Sequence, residues 1–78
     1  MPHISVKMLE GRSEEQKKQL AQALEKTLSE TLGCATTWVT VSIEDYSAEK
    51  WQDVFRKEVT ENEENLYKKA QYDPKILL

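Results

Sequence analysis

Met1-Pro2-His3-Ile4-Ser5-Val6-Lys7-Met8-Leu9-Glu10-Gly11-Arg12 opens the chain, and its alternation decides the fold. From Pro2 to Met8, the residues Ile4, Val6 and Met8 share one face and His3, Ser5 and Lys7 the other. Period two with one apolar face predicts a half-buried strand. Glu10-Gly11-Arg12 predicts a short turn leading into a helix. Once the initiator methionine is removed, Pro2 is a secondary amine at the amino terminus. It has no flexible side chain to position, so the strand behind it must aim it.

The neighbouring segment reads as a helix over residues 13–32. Ser13 is the expected N-cap, and Gln16, three residues on, completes a capping box. Glu14 and Glu15 place negative charge in the first turn, where the helix dipole favours it. Leu20, Leu24, Leu28 and Leu32, with Ala21, form one apolar stripe, and Gly33 can take the left-handed cap. After a connection over Cys34–Thr37, Trp38–Glu44 alternates again with Val39, Val41 and Ile43 inward. Strand, helix and strand make a βαβ unit, right-handed, with its two strands parallel.

Beyond Asp45-Tyr46-Ser47, read as a turn, Trp51, Val54, Phe55 and Val59 recur at helical spacing and predict a second helix over 48–60. The polar run Thr60–Asn65 either continues that helix or breaks it. Asp73-Pro74 should stop any helix, and the tail Lys75-Ile76-Leu77-Leu78 is apolar enough to dock. The expected fold is α+β: one domain over 1–78, with a βαβ core at 2–45 and a C-terminal helix and tail at 46–78. A two-stranded sheet is marginal alone in water. Pairing with a second copy would give a homodimer with four strands and helices on one face, and would cover a sheet edge.

Composition narrows the functions. Seventy-eight residues make one small domain, and at 38% hydrophobic and 32% charged it is ordinary for a folded protein. No apolar run spans a bilayer and no secretory leader pattern opens the chain, which points to no membrane partner and a cytoplasmic location. Cys34 stands alone, and with a single His no usual four-ligand zinc site can form, so no metal is expected. Two glycines exclude a phosphate-cradling loop. A net charge of −3 with interleaved lysines and acids argues against nucleic acid.

Pro2 is the candidate base. An α-amine titrates at about 7.7–8.0 in reference peptides. Burial or a nearby cation lowers that value and leaves a free base at neutral pH. Arg12 is the expected cation, or the fork that grips a substrate carboxylate.

With these residues in place, Pro2, the strand and Leu9-Glu10-Gly11-Arg12-Ser13-Glu14-Glu15-Gln16-Lys17 resemble the opening of the 4-oxalocrotonate tautomerase family. The likeness continues through the leucine stripe and the Val39–Ile43 strand, covering about 2–45. It implies a cofactor-free enzyme with Pro2 as general base and Arg12 as carboxylate binder. Met1-Pro2-His3-Ile4 and Trp51-Gln52 are similar to a dimeric, C-terminally extended bacterial branch of that family, acting on enols of 2-oxo acids such as phenylpyruvate. There Trp51 would be an aromatic wall of the pocket, although its spacing alone reads as a core anchor. One position departs from the pattern. Thr40 stands where the six-subunit members have a second arginine, which favours a substrate with one carboxylate and an apolar or phenolic tail.

The plainer readings hold elsewhere. His3 is expected to be solvated or at an interface, Cys34 a small filler, and Trp38 and Tyr46 interface residues. The acids at 61–64 read as a solvated face, and a reach of Arg56-Lys57 to a carboxylate across the dimer is not counted among the expectations. The expected activity is enol–keto tautomerisation. Hydration or dehalogenation of an unsaturated acid on the same scaffold is the alternative, and needs Glu49 or Asp53 to face Pro2. A non-catalytic dimeric module using the apolar tail is the other.

Overall fold

Parallel pairing between two seven-residue strands, β1 (His3–Leu9) and β2 (Thr40–Tyr46), organises the chain in a computed structural model that describes all 78 residues. The register joins His3 to Thr40, Val6 to Ile43 and Leu9 to Tyr46. Ile4, Val6, Met8, Val41 and Ile43 therefore share one face, as the alternation predicts. Both strands run further along the sequence than expected. Leu9 belongs to β1, and Asp45 and Tyr46, expected to turn, extend β2, with the Glu10 amide donating to the Tyr46 carbonyl at 2.9 Å. At the other end, Thr36–Trp38 form a 3₁₀ turn in which the Val39 amide bonds the Thr36 carbonyl at 3.0 Å. That local closure takes Trp38 and Val39 out of the ladder.

The crossover is α1 (Glu14–Leu32), and both of its ends carry the expected caps. The Ser13 hydroxyl accepts the Gln16 amide at 3.1 Å, and the Gln16 side chain accepts the Ser13 amide at 3.0 Å. Gly33 sits at φ 70°, ψ 32°, a left-handed conformation that favours glycine and stops the helix. Lys17 bridges to Asp45 at 2.8 Å, tying α1 to the Ile4 face, because Asp45 is in register with Met8. Hydrogen bonds to Asp45, and then to Glu14, raise the Lys17 ammonium above its ordinary value.

The second helix, α2 (Ala48–Phe55), is shorter than 48–60 because its continuation widens into a π turn over Arg56–Thr60. There the Glu61 amide reaches back five residues to the Arg56 carbonyl at 2.8 Å. The polar run then leaves the helix through a 3₁₀ turn at Glu63–Asn65. Pro74 opens a turn where it was expected to close one. It stands at the start of the 3₁₀ segment Pro74–Leu77, where its missing N–H costs nothing, and the Asp73 side chain caps it by accepting the Lys75 amide at 3.0 Å.

The two helices do not share a face. Val54, Phe55 and Glu58 close a hollow with Ser5 and Lys7, so α2 lies over the polar side of the sheet, opposite α1. A polar strand face can be covered because Lys7 satisfies itself there. It donates to Ser5 Oγ at 2.8 Å and lies 3.5 Å from Glu44 and 3.9 Å from Glu58. Phe55 is the only buried residue, 9% exposed, and Leu32, at the end of the apolar stripe, is 65% exposed. The chain forms a plate of 40 × 31 × 17 Å with a thin core.

Candidate active site

The two ends of β1 carry the candidate residues. At the first, Pro2 is half-buried and its carbonyl accepts the Thr40 amide at 3.3 Å, which anchors Pro2 to the sheet. Met1 beyond it is 95% exposed. The His3 imidazole lies between two hydroxyls of β2, with Nδ1 2.6 Å from Thr40 Oγ1 and Nε2 3.4 Å from Ser42 Oγ. His3 is solvent-exposed, yet it is engaged, and it occupies the Thr40 hydroxyl.

At the second end, Gly11 takes φ 123°, which only glycine adopts readily, and turns the chain so that Arg12 precedes the α1 cap. Arg12 is exposed and borders a hollow of about 320 Å³. Lys7, Met8, Leu9 and Trp51 line it with Arg12, and Tyr72 and Leu77 complete it. Arg12 has no partner among the ion pairs, whereas Lys7 is committed to Glu44, Glu58 and Ser5. One free guanidinium over an apolar wall suits one carboxylate with an apolar tail. The Trp51 indole N–H donates to the Tyr72 hydroxyl at 3.1 Å, and the Tyr72 ring meets Phe55 edge-on, with centroids 5.5 Å apart.

Arg12 and Trp51 therefore come together in one chain, and Pro2 does not join them. The span of β1 alone, at about 3.3 Å per residue, is roughly 20 Å. The expectation that Arg12 flanks the Pro2 amine fails within a single copy. The hydration alternative draws no support from Glu49 or Asp53: α2 starts at the Arg12 end of β1 and packs over Ser5 and Lys7, and neither acid shares a hollow with Pro2. Asp53 is held by Arg56 and by Lys57, the latter at 3.1 Å. The same contacts, with Glu61 at 2.8 Å from Arg56, occupy Arg56 and Lys57 within the chain.

A larger hollow of about 440 Å³ lies under the C-terminal segment between Phe55, Val59, Leu66 and Tyr72. Its charged rim is self-satisfied, Lys69 bridging Glu63 at 3.2 Å, so it offers nothing to orient a ligand. Sequence reasoning missed Lys7, Tyr72 and Leu77 as lining residues. For Lys7, the signal was its place on the strand face opposite Ile4, the face that α2 covers. Tyr72 follows no period, and only its nearness to Asp73-Pro74 marked a fixed turn.

A βαβ unit with a free arginine at the turn after β1, and a proline anchored at its start, defines a small α+β protein. Residues 2–53 match the sequence profile of the family described as "Tautomerase enzyme". A probable tautomerase of Xylella fastidiosa is 38% identical over 73 residues, covering 92% of this chain and 89% of its own. The 2-hydroxymuconate tautomerase of Bacillus subtilis is 42% identical over 45 residues, 58% of this chain and 73% of its own. Among solved structures, TomN, a 4-oxalocrotonate tautomerase homologue in the tomaymycin biosynthetic pathway, superposes with a TM-score of 0.62. It shares 40% identity and covers 64% of this chain and 77% of its own. The chain belongs to the tautomerase family, and it is an isomerase acting on small molecules. The Xylella match runs past residue 53 into the C-terminal segment, which the family profile does not reach.

Proposed function

We propose that the protein ketonises the enol of a small 2-oxo acid, phenylenolpyruvate-like, with Pro2 as the base once Met1 is removed. Exposure of Met1 leaves it accessible to an aminopeptidase, and the Thr40–Pro2 bond then holds the new terminus in place. The neutral amine takes the enol hydroxyl proton. The C–O bond becomes a carbonyl, and the electron pair of the C=C bond collects a proton at the neighbouring carbon from the ammonium just formed. The base is regenerated, and no cofactor enters. Arg12 holds the carboxylate and offsets charge that spreads towards it as the enolate forms. Trp51 packs against the tail.

The observation that carries this reading is the free Arg12 guanidinium sharing a hollow with Trp51. Because Pro2 lies at the other end of β1, the complete site takes its Arg12 and Trp51 from a second copy. A homodimer also suits the surface. The accessible area is 6102 Å², against about 4,900 Å² for a compact chain of this mass. The excess exceeds the roughly 800 Å² that each partner buries in a standard interface. Pairing the β-units into a four-stranded sheet would remove it.

The test is ketonisation of phenylenolpyruvate by protein shown by mass spectrometry to lack Met1. Pro2→Ala should lower kcat about 10²- to 10⁴-fold, the usual share of a positioned acid–base group. Full activity in Pro2→Ala would end the mechanism.

A further inference from the structure

We propose that the C-terminal strap, residues 72–77, is a wall of the Arg12 hollow, and that Tyr72 positions the Trp51 indole for a flat apolar group carried by the substrate acid. This rests on the tautomerase reading and specifies the end of the substrate opposite its carboxylate. The strap is pinned at three points. Tyr72 meets Phe55 and Trp51, Gln52 Nε2 donates to the Pro74 carbonyl at 2.8 Å, and Leu77 enters the hollow while its neighbours Ile76 and Leu78 stay 72% and 70% exposed. Only the residues that turn inward reach the site.

Tyr72 is 45% exposed, so its ring contributes less to the core than Phe55 does. Its hydroxyl has a specific task. An indole N–H facing an apolar hollow would otherwise need water, and that water would have to leave when an apolar tail arrives. With Tyr72 accepting the N–H, Trp51 can offer a ring face that is already satisfied and held in one orientation. Leu77 then bounds the hollow on the strap side. Arg12 is the free charge there and takes the carboxylate, which leaves the strap side for a planar apolar tail.

The experiment uses full-length protein lacking Met1, in a Trp38→Phe background so that Trp51 is the only indole. Ketonisation is measured on phenylenolpyruvate and on a short-chain enol acid without the ring, and the Trp51 indole resonance is followed by NMR during titration with cinnamate. Tyr72→Phe keeps the ring and removes the hydroxyl; Leu77→Ala shortens the wall. Each should raise KM for the aryl acid about five-fold, the worth of one hydrogen bond or a small packing loss, with kcat and the short acid little changed. Cinnamate should shift the indole resonance, and Tyr72→Phe should weaken that titration similarly. Equal losses on both acids, or no loss on either, would overturn the proposal. If the unmutated protein ketonises neither acid, the tautomerase mechanism above is what fails. The cinnamate titration then decides alone: a Trp51 shift weakened by Tyr72→Phe supports the strap, and no shift overturns it.

Discussion

Arg12 owes its freedom to its neighbours. Gly11 turns the chain at φ 123°, Ser13 and Gln16 satisfy each other across the first turn of α1, and Glu14 is taken by Lys17 at 2.9 Å. Arg12 itself forms no ion pair, so the guanidinium is available to a ligand. Replacing it with lysine keeps the charge but loses the fork. Arg12→Lys should lower kcat/KM on phenylenolpyruvate about ten-fold, mostly through KM, and Arg12→Ala about a hundred-fold. Steady-state kinetics check both, and a variant with unchanged KM would separate Arg12 from the carboxylate. The other residue-scale result is Thr40. The absence of an arginine there was plain in the sequence, but its hydroxyl bond to His3 was not, because it depends on a register that only the paired strands establish.

At the scale of elements, the βαβ unit was legible because each piece announces its own period and the caps of α1 are local. The boundaries of β2 were not, since the Thr36–Trp38 turn competes with an alternation that begins at Trp38. The end of α2 was hidden for another reason. Helical spacing runs on to Val59, yet Arg56 joins Asp53 and Glu61, and the backbone widens to a π turn between them. The arginine's hydrogen bond, and then that of Lys57, hold the Asp53 carboxyl below its ordinary value. A carboxyl lowered by folding stabilises the native state above its unfolded value, and that contribution is lost as pH falls through the lowered one. The melting temperature should therefore drop below about pH 4, and Asp53→Asn should flatten the drop. High salt should shrink the difference, because the pair is exposed. Identical acid limbs for both proteins would show that the bridge contributes nothing. The strap of 72–77 was the least legible element. Its place depends on single contacts by Tyr72, Pro74 and Leu77 and on no repeating pattern.

For the whole molecule, one buried residue and a radius of gyration of 14.1 Å describe a chain too open for its length. A compact domain of this size would have a radius near 11.5 Å. A dimer is the expected resolution. Light scattering should give twice the 9.1 kDa chain mass, and the melting temperature should rise with protein concentration. A monomer at micromolar concentration would remove the two-copy site along with the dimer.

The parallel register also governs how the chain comes together. Every strand pair, from His3–Thr40 to Leu9–Tyr46, is separated by the same thirty-seven positions. The first pair to form bears the whole entropy of closing that loop, and the others follow at little further cost. A preformed α1, about 28 Å of rod at 1.5 Å per residue, takes most of the slack out of the loop before the strands meet. Ser13 and Gly33, which mark where that rod starts and stops, thus act on the speed of assembly as well as on its stability.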